Sequence, residues 1–377
     1  MTPGTAVPDD RAGIRIMMVT PRFPPYRGGV ETHTYEVSRR LAAAPGCDVT
    51  VVTTDLEGGL PRAETVEGVH VERVAAYPRG ADLYWSPAIH RRIMDGQPDL
   101  VHVQGYHTLI PPLAMLAARR RRIPYFITLH SGGHSSWLRN ALRPVQLRLL
   151  RPLLRSAARV IAVSEFEATH FATVYGLGRG NLTVIPNGAD VGEPHANGHR
   201  DPDLILSVGR LERYKGHHRV IEALPHVRRS LPNARLRIVG SGPYEAPLRA
   251  LVSRLGLDAS VEILSVPRAE MGRVLGGASV VTLLSEYESQ GLAVHEALVR
   301  GCRVVVDAGS ALAEVTRLEQ ASGVTSDDPP EVIAAALVDM LTRSPIAAAT
   351  NPSLPTWDDC AAATSVLYAD VLRSRRS

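Results

Sequence analysis

The sequence predicts an α/β protein made of two doubly wound halves, each a parallel sheet with helices on both faces. Short apolar runs alternate with helical stretches along most of the chain, as is typical of parallel sheets. The alternation stops at Pro186–Pro202, which is rich in Pro, Gly, Asn and Asp, and then starts again. A chain of 377 residues also suits two domains better than one. We therefore expect two facing domains with a cleft between them.

The first half opens with a short apolar run and a Pro/Gly-rich loop, followed by a helical pattern over Val30–Ala43. The strands predicted in this half are Ile14–Thr20, Val49–Thr53, Leu100–Val103, Tyr125–Leu129, Val160–Val163 and Leu182–Ile185. Ligands of such sheets bind beyond the carboxyl ends of the strands. The loops that follow the strands are therefore the candidate site.

The second half repeats this alternation. Its predicted strands are Leu204–Val208, Arg235–Val239, Val261–Leu264, Val280–Leu284 and Val304–Val306. Its predicted helices are Gly216–Ser230, Glu245–Leu255 and, after a break at Asn351–Pro355, a last helix at Trp357–Leu372. We assign residues 14–190 to the first domain, 203–350 to the second and 356–377 to the last helix. The string Asp201-Pro202-Asp203 lies before a strand, and we interpret it as a turn, not as a metal site.

Composition and charge exclude several classes of protein. The formal net charge is only +4 and aromatic residues make up 5%, which disfavours nucleic-acid binding. No apolar run approaches the ~18 residues that a membrane helix needs, and residues 1–13 lack the pattern of a secretion signal. Cys47, Cys302 and Cys360 are far apart, as expected for reduced thiols. We therefore expect a cytoplasmic protein.

A basic amphipathic segment spans residues 139–159. Its arginines, spaced among leucines, are Arg139, Arg143, Arg148, Arg151, Arg155 and Arg159. Such a helix can lie on an anionic membrane surface, which would give peripheral contact with the inner face of a membrane. A solvated helix face has the same pattern, so both interpretations stay open.

The chain has 42 basic side chains, and Lys215 is the only lysine among them. Arg210 stands at the carboxyl end of the strand Leu204–Val208, and Lys215 follows five residues later at the start of a helix. Two cations that converge on a helix N-terminus predict a site for a diphosphate. A solvent-exposed basic turn is the alternative.

Two further features lie at predicted strand ends. Gly28 and Gly29 open a helix, where the backbone can approach an anion closely, although a simple chain reversal is the alternative. The pattern is not G-x-G-x-x-G, so a dinucleotide is disfavoured. Glu288 lies in the loop after Val280–Leu284, and Glu296 lies in the next helix. Their carboxylates can accept hydrogen bonds from sugar hydroxyls, although acidic residues early in a helix also complement its dipole.

Six motifs, in this order, resemble the family 4 retaining glycosyltransferases of the GT-B fold, over nearly the whole chain. They are Gly28-Gly29-Val30-Glu31, Thr128-Leu129-His130, Val184-Ile185-Pro186-Asn187-Gly188-Ala189-Asp190, Gly209-Arg210 with Lys215-Gly216, Val239-Gly240-Ser241-Gly242-Pro243, and Glu288 and Glu296 with seven residues between them. The resemblance implies two Rossmann-like domains, with the last helix crossing back to the first. It also implies transfer of a sugar from a nucleotide-diphosphate sugar, with retention of the anomeric configuration and without a firmly established enzyme nucleophile.

The resemblance further implies roles for individual residues. Arg210 and Lys215 would neutralise the diphosphate leaving group. Glu296 would bind the ribose, Glu288 the donor sugar, and His130 would lie near the reacting centre. The other residues implied on the nucleotide-sugar side are Gly28, Gly29, Asn187, Gly240, Gly242, Val266, Gly291 and Leu292. Those implied on the acceptor side are Ser131, Gly132, Gly133 and His134. UDP is the expected nucleotide, and no metal or other cofactor is expected to be required.

One departure from the family pattern concerns the sugar. Gln290 stands where an aromatic residue is usual, and we expect it to add hydrogen-bonding capacity near the sugar. The acceptor hydroxyl stays open among a glycan, a lipid-linked molecule and a small molecule. Alternatives of the same fold are a nucleotide-sugar 2-epimerase and a phosphorylase, although Lys215 is the only lysine that could hold pyridoxal phosphate. A non-catalytic GT-B binding protein is the alternative from another class.

Overall fold

A computed structural model describes residues 13–79, 83–132, 137–189, 200–343 and 354–376. The strands in these ranges are β1 Ile14–Val19, β2 Cys47–Asp55, β3 Ala63–Val66, β4 Val69–Ala75, β5 Leu100–Gln104, β6 Tyr125–Thr128, β7 Arg159–Ala162, β8 Leu182–Val184, β9 Asp201–Val208, β10 Arg235–Val239, β11 Val261–Leu264, β12 Ala278–Leu283, β13 Arg303–Asp307 and β14 Ala321–Val324. The α-helices are α1 Gly29–Ala43, α2 Pro87–Asp95, α3 Ile110–Arg120, α4 Trp137–Ser156, α5 Glu165–Tyr175, α6 His217–Ser230, α7 Glu245–Arg254, α8 Arg268–Gly276, α9 Leu292–Val299, α10 Pro330–Thr342 and α11 Trp357–Arg376. None of these helices is long and apolar enough to span a lipid bilayer.

The first domain contains an eight-stranded sheet in the order β3-β4-β2-β1-β5-β6-β7-β8. Every neighbouring pair is parallel except β3 with β4. The six strands predicted here are confirmed, but the β3–β4 hairpin was not predicted. Its short strands are half polar, and its two-residue turn uses Glu67 and Gly68, both with positive φ, in place of a familiar Asn-Gly pair.

The second domain contains a six-stranded parallel sheet in the order β11-β10-β9-β12-β13-β14. One interpretation from the sequence is wrong, because β9 already begins at Asp201, so Asp201-Pro202-Asp203 is strand and not a turn. The Asp201 N–H donates to Gly277 at 2.9 Å, and its carboxylate pairs with Arg235 of the neighbouring strand at 2.6 Å. These contacts extend the sheet by three residues beyond the apolar run.

The central strands are buried on both faces because helices cover both sides of each sheet. All five residues of β5 are buried, for example, as are all five of β13. This is the usual state of parallel sheets, whose strands read as continuous apolar runs. Polar side chains therefore concentrate where the strands end, and Gln104, His130 and Arg210 all stand at such carboxyl ends.

The chain crosses between the domains twice, and the two crossings touch each other. The Ala189 N–H donates to the Pro355 carbonyl at 3.0 Å. A Cβ on Gly188 would lie 2.1 Å from the Trp357 nitrogen, so the crossings pack backbone against backbone. Beyond this point α11 packs on α1, and Trp357 and Tyr368 join the core of the first domain. The predicted return of the last helix to the first domain is confirmed.

Candidate active site

Lys215 and Glu288 meet at the carboxyl edge of the second sheet. Lys215 ends a short 3-10 helix after β9, and Glu288 lies in the loop between β12 and α9. The Lys215 Nζ contacts the Glu288 Oε1, and the two side chains are only 15% and 13% exposed. A backbone bond from the Glu286 N–H to the Tyr214 carbonyl, at 2.9 Å, holds the two loops together. The sequence predicted both residues for the site but not their ion pair.

Arg210 lies beside this pair but is much more exposed to solvent. Its guanidinium lies 2.9 Å from the Glu212 carboxylate and 3.1 Å from the Tyr214 hydroxyl. The side chain is 60% exposed, so it points towards solvent from the strand end. Its loop is fixed by His217, whose ring bonds Ser207 at 2.8 Å and the Arg210 carbonyl at 3.2 Å.

Two close backbone contacts explain the glycines in these loops. Gly216 has φ 74°, and a Cβ there would lie 2.0 Å from the Leu284 carbonyl oxygen. A Cβ on Gly240 would lie 1.9 Å from the Gly209 oxygen. The predicted Gly240 and Gly242 thus allow the Arg210 loop to pack on the loop after β10, where the Leu211 N–H donates to Ser241 at 3.0 Å.

Neighbouring groups stabilise the protonated, positively charged forms of Lys215 and Arg210. Burial lowers the pKa of Lys215, but Glu288 and Tyr214 outweigh burial and raise the pKa above its usual value. Partial desolvation lowers the pKa of Arg210, whereas Tyr214, Glu212 and Glu31 raise it overall. Glu31 belongs to the first domain, so charges of both domains meet in this cleft.

The first domain presents Gly28 and Gly29 to the start of α9. A Cβ on Gly29 would lie 3.7 Å from the Leu292 side chain, so these two predicted residues face each other across the cleft. Gly28 lies against the buried Glu31, whose carboxylate pairs with Arg22 at 2.8 Å. Gly291, with φ 81°, is the N-cap of α9, and its carbonyl accepts from the Val294 N–H at 2.9 Å, so the N–H groups of Leu292 and Ala293 are the ones without a partner inside the helix.

Further contacts bring the base-side residues close to the first domain. The Arg27 Nη1 lies 3.4 Å from the carbonyl oxygen of the predicted Val266. Arg268, two residues later, contacts the Thr32 hydroxyl of α1. Glu296 lies in the second turn of α9 and is partly buried. The structure thus brings the predicted nucleotide-sugar residues of the two domains to one cleft, with Asn187 as the exception.

His130 closes the first-domain side of the site. It leaves β6 with φ 49°, a left-handed conformation, and its carbonyl accepts a bond from His107 at 2.9 Å. Its Nε2 lies 2.9 Å from the side-chain amide of Gln104, which fixes the orientation of the ring. Burial, then His33 and His102, lower the pKa of His130 well below its usual value. The ring is therefore neutral and can orient a hydroxyl group.

The predicted acceptor-side residue Ser131 is bonded to both domains. Its N–H donates to Glu167 at 2.6 Å, and its hydroxyl contacts the same carboxylate and accepts a bond from Tyr287 at 3.0 Å. Burial raises the pKa of Glu167 to about 7, against the lowering effect of its hydrogen bonds. Ser131 therefore joins the acceptor-side loop to the donor-side loop that carries Tyr287.

The other acceptor-side residues are less constrained or outside the described ranges. Gly132 is partly exposed, and a Cβ built on it would meet nothing within 4 Å. Gly133 and His134 lie outside the described residues. Within the described ranges, no group of three or more His, Cys, Asp or Glu side chains is arranged to hold a metal ion.

The expectation for Gln290 is wrong. Its Oε1 accepts from the Asn187 N–H at 2.8 Å, and its Nε2 donates to the Asn187 carbonyl at 3.0 Å. Only 4% of the residue is exposed. Its amide therefore bonds the segment that crosses between the domains and does not face the sugar. Asn187 is also 4% exposed, and its side-chain oxygen lies 2.6 Å from His33 Nδ1. Asn187 thus contacts protein groups at the crossing between the domains.

Sequence reasoning missed several residues around the site. Those with the clearest contacts are His33, Gln104, Glu167, Tyr214, His217 and Tyr287. Tyr287 directly precedes Glu288, which was a usable signal. The others act through partners that are distant in sequence, and a single sequence does not show such pairs.

Known proteins are similar to this chain over its whole length. The families described as Glycosyltransferase Family 4 and Glycosyl transferases group 1 match residues 27–193 and 193–351. The chain is 30% identical to a glycogen synthase of Mycobacterium tuberculosis, with 96% of each chain covered. It is 30% identical to the GDP-mannose:cellobiosyl-diphosphopolyprenol alpha-mannosyltransferase of Xanthomonas oryzae, over 76% of this chain and 77% of the relative.

A solved structure shows the same fold. The Anabaena protein HepE, in complex with UDP and glucose, has a TM-score of 0.68 and 19% identity, with 97% of this chain and 100% of HepE covered. Together with the two facing sheets and the cleft between them, these matches identify the chain as a family 4 glycosyltransferase of the GT-B fold.

Proposed function

We propose that this protein transfers a sugar from a UDP-sugar to an acceptor hydroxyl with retention of configuration. One observation carries the proposal. Arg210 and the Lys215–Glu288 pair stand at the carboxyl edge of the second sheet, and Gly29 of the first domain faces Leu292, at the start of the helix that follows the Glu288 loop. Cations, a carboxylate and a glycine-lined helix start around one cleft suit a ligand that joins a diphosphate to a polyol.

In this proposal the cations bind the leaving group. An ammonium carries three protons, so the contact of Lys215 with Glu288 leaves donors for phosphate oxygens. Arg210 offers a planar fork to the same diphosphate. Fixed charges that stabilise the negative charge developing on a leaving group contribute strongly to catalysis of this kind. These two cations support transfer without an obligatory metal.

The remaining groups orient the sugar and the nucleotide. Glu288 accepts hydrogen bonds from sugar hydroxyls while Lys215 holds it in place, and Glu296 does the same for the ribose. Neutral His130, held by Gln104, offers its other ring nitrogen to a sugar hydroxyl. An ion-paired Glu288 is a poor nucleophile, which fits departure and attack on one face and not the carboxylate pair of retaining hydrolases.

The nucleotide is tested by thermal shifts with UDP-, GDP- and dTDP-sugars. A ligand at about 100 times its Kd stabilises the fold by about 2.7 kcal/mol, which corresponds to roughly 5–10 °C in a domain of this size. HepE, solved with UDP and glucose, supports UDP, whereas the relative named for GDP-mannose supports the competitor. A larger shift with GDP-sugars would refute UDP and leave sugar transfer standing.

Transfer itself is tested by following release of the nucleoside diphosphate in the presence of glycan, lipid-linked and small-molecule acceptors. Retention predicts that the anomeric proton of the product, followed by NMR, keeps the configuration of the donor. Inversion would refute the one-face mechanism. Formation of a 2-epimer of the donor without any acceptor would support the epimerase alternative.

We further propose that the protein reaches a membrane-borne acceptor through α4. Along this helix Val145 is 55% and Leu149 is 76% exposed, and Arg148 and Arg155 share that outer face at helical spacing. The sequence of α4 contains no acidic residue. Apolar side chains flanked by arginines suit the interface of an anionic bilayer. The side chains of the predicted Arg139 and Arg143 lie outside the described ones.

A neighbouring hairpin supports the same contact. Tyr77 and Trp85 form a bridge with two bonds of 2.9 Å, so their side chains project from one face, 51% and 45% exposed. The Leu109 N–H donates to Tyr84 within this hairpin at 3.3 Å, and Gln146 of α4 donates to the nearby Tyr106 carbonyl at 2.8 Å. The hairpin and α4 therefore flank one loop.

Co-sedimentation with vesicles tests this contact. We expect binding to vesicles of phosphatidylglycerol and phosphatidylcholine at low salt, weaker binding at high salt, and loss of binding in Leu149→Glu. Val174→Glu is the matched control, because Val174 is 59% exposed on α5. Failure of the wild-type protein to bind anionic vesicles at low salt would refute the contact and favour a soluble acceptor.

A further inference from the structure

The amide of Gln290 spans the boundary between the domains. It bonds both the N–H and the C=O of Asn187, at 2.8 and 3.0 Å, in the manner of a strand pair. Both residues are 4% exposed, so water does not substitute easily for these bonds. Buried backbone groups left without partners each cost about 1–3 kcal/mol, so this side chain is specifically required at its place.

This contact lies where the chain passes between the two domains. Asn187 immediately precedes Gly188, whose backbone packs against Trp357, where the second crossing of the chain enters the first domain. The contact thus lies at the meeting point of both crossings. Gln290 therefore holds the loop from Glu288 to Leu292 at its middle, while that loop presents Glu288 to the cleft.

The contact continues into the first domain as far as His130. The Asn187 Oδ1 lies 2.6 Å from His33 Nδ1, and the His33 ring lies edge-on to the His130 ring with centroids 4.5 Å apart. His33 also packs against Trp357, with centroids 6.0 Å apart. Gln290 thus touches Asn187, Asn187 touches His33, and His33 touches His130.

We propose that Gln290 is a positioning residue that fixes the two halves of the sugar site relative to each other. It ties the Glu288 loop of the second domain to the crossing between the domains, and through Asn187 and His33 it ties that loop to His130. The proposal rests on the proposed sugar transfer. It explains why an amide stands where the family usually has an aromatic residue, because a phenyl ring cannot bond both backbone groups of Asn187.

The test compares Gln290→Leu with Gln320→Leu. Gln320 is also buried in the second domain, at 8% exposure, and its backbone carbonyl accepts from the Val304 N–H of the same domain, so the same change there controls for replacing a buried amide away from the domain boundary. Three quantities are measured for each variant: the melting temperature, the Kd for UDP by calorimetry, and kcat for UDP release from the donor that gives the largest thermal shift.

We expect Gln290→Leu to change the Kd for UDP much less than kcat, because Arg210, Lys215 and Glu296, the groups proposed to bind the nucleotide, lie outside the loop from Glu288 to Leu292. We expect its kcat to fall about 10- to 100-fold, the size of effect produced when reacting groups are misplaced by about 1 Å. Gln290→Glu keeps an acceptor for the Asn187 N–H but loses the donor, so its kcat should lie between those of wild type and Gln290→Leu. Gln320→Leu should leave both kcat and Kd unchanged.

A double-variant cycle then tests the route to His130. Asn187→Leu removes the amide that bonds His33, and if the effects pass through it, Gln290→Leu should add little in that background. Equal kcat in Gln290→Leu and Gln320→Leu, parallel losses of UDP binding and kcat, or fully additive losses in the cycle would each overturn the proposal. An inactive wild-type protein across all donors would instead refute sugar transfer, and the two failures are thus distinguishable.

Discussion

Replacing Lys215 by alanine tests the proposed diphosphate site most directly. The Nζ group is 15% exposed and held against Glu288, whereas Arg210 is 60% exposed. A charge acts more strongly where solvent screens it less, so Lys215 should contribute more to the transition state than Arg210. Removal of one well-placed electrostatic group costs about 2.7–4 kcal/mol, or about 10²- to 10³-fold in kcat. We expect a loss of this size for Lys215→Ala and a smaller loss for Arg210→Ala.

The assay is steady-state release of nucleoside diphosphate, with Arg213→Ala as the matched control. Arg213 is an exposed cation two residues from Lys215, so its loss changes the net charge equally without touching Glu288. We expect that control to keep wild-type kcat. Thermal melting serves as the check on folding, because alanine leaves the largely buried Glu288 carboxylate without its cation, at a cost of about 3–5 kcal/mol.

Two outcomes would refute this reasoning. Full activity in Lys215→Ala would remove the lysine from the leaving-group site altogether. A larger loss in Arg210→Ala than in Lys215→Ala would show that exposure does not rank the two cations, and that the bidentate fork of Arg210 carries the phosphate contact. A melting temperature lowered far more than the ion pair accounts for would point to a structural role for Lys215.

Two further predictions concern the close packing at Gly240 and the protonation of the buried His33. Gly240→Ala should lower the free energy of unfolding by about 1–3 kcal/mol and weaken UDP binding, because its Cβ would lie 1.9 Å from the Gly209 oxygen. Gly59→Ala is the control, because a Cβ there would meet nothing within 4 Å. We expect this control to keep both the melting temperature and the Kd for UDP measured by calorimetry. Burial lowers the pKa of His33 to about 4, so the native state takes up this proton later than the unfolded chain does. The contribution of His33 to stability should therefore fall by about 3 kcal/mol as the pH drops from about 6.5 to 4, and melting curves of His33→Gln should show a shallower dependence on pH over that range.

The sequence predicted those parts of the fold whose signal is local. Buried parallel strands are continuous apolar runs, and the central strands of both sheets were found for that reason. The β3–β4 hairpin was missed because its strands, Ala63–Val66 and Val69–Ala75, mix polar and apolar residues on a partly exposed sheet edge. The first residues of β9 were missed because Asp201 and Pro202 read as a turn, yet a neighbouring strand supplies their partners.

In the candidate site, too, residues with a local signal were predicted and pairings between distant residues were not. Arg210, Lys215 and Glu288 were predicted because each follows a strand, and parallel strands bring all their carboxyl ends to one edge. The pairing of Lys215 with Glu288 joins residues 73 apart, and that of Asn187 with Gln290 joins residues 103 apart. Neither spacing has a periodic signal, so the partner of a polar side chain could not be read from the chain alone.

The position of Gln290 changes where donor selectivity should be sought. An amide that faced the sugar would discriminate between sugar hydroxyls, but this amide is fully engaged with Asn187. Glu288 and His130 are then the described polar side chains proposed to meet the sugar, and each is held by a protein partner, Lys215 and Gln104. Such constrained groups select a sugar by the position of its hydroxyls, since neither can move to follow a different epimer. A variant at Gln290 should therefore lower kcat for every accepted donor in similar proportion, whereas Glu288→Gln should change the order in which donors are preferred.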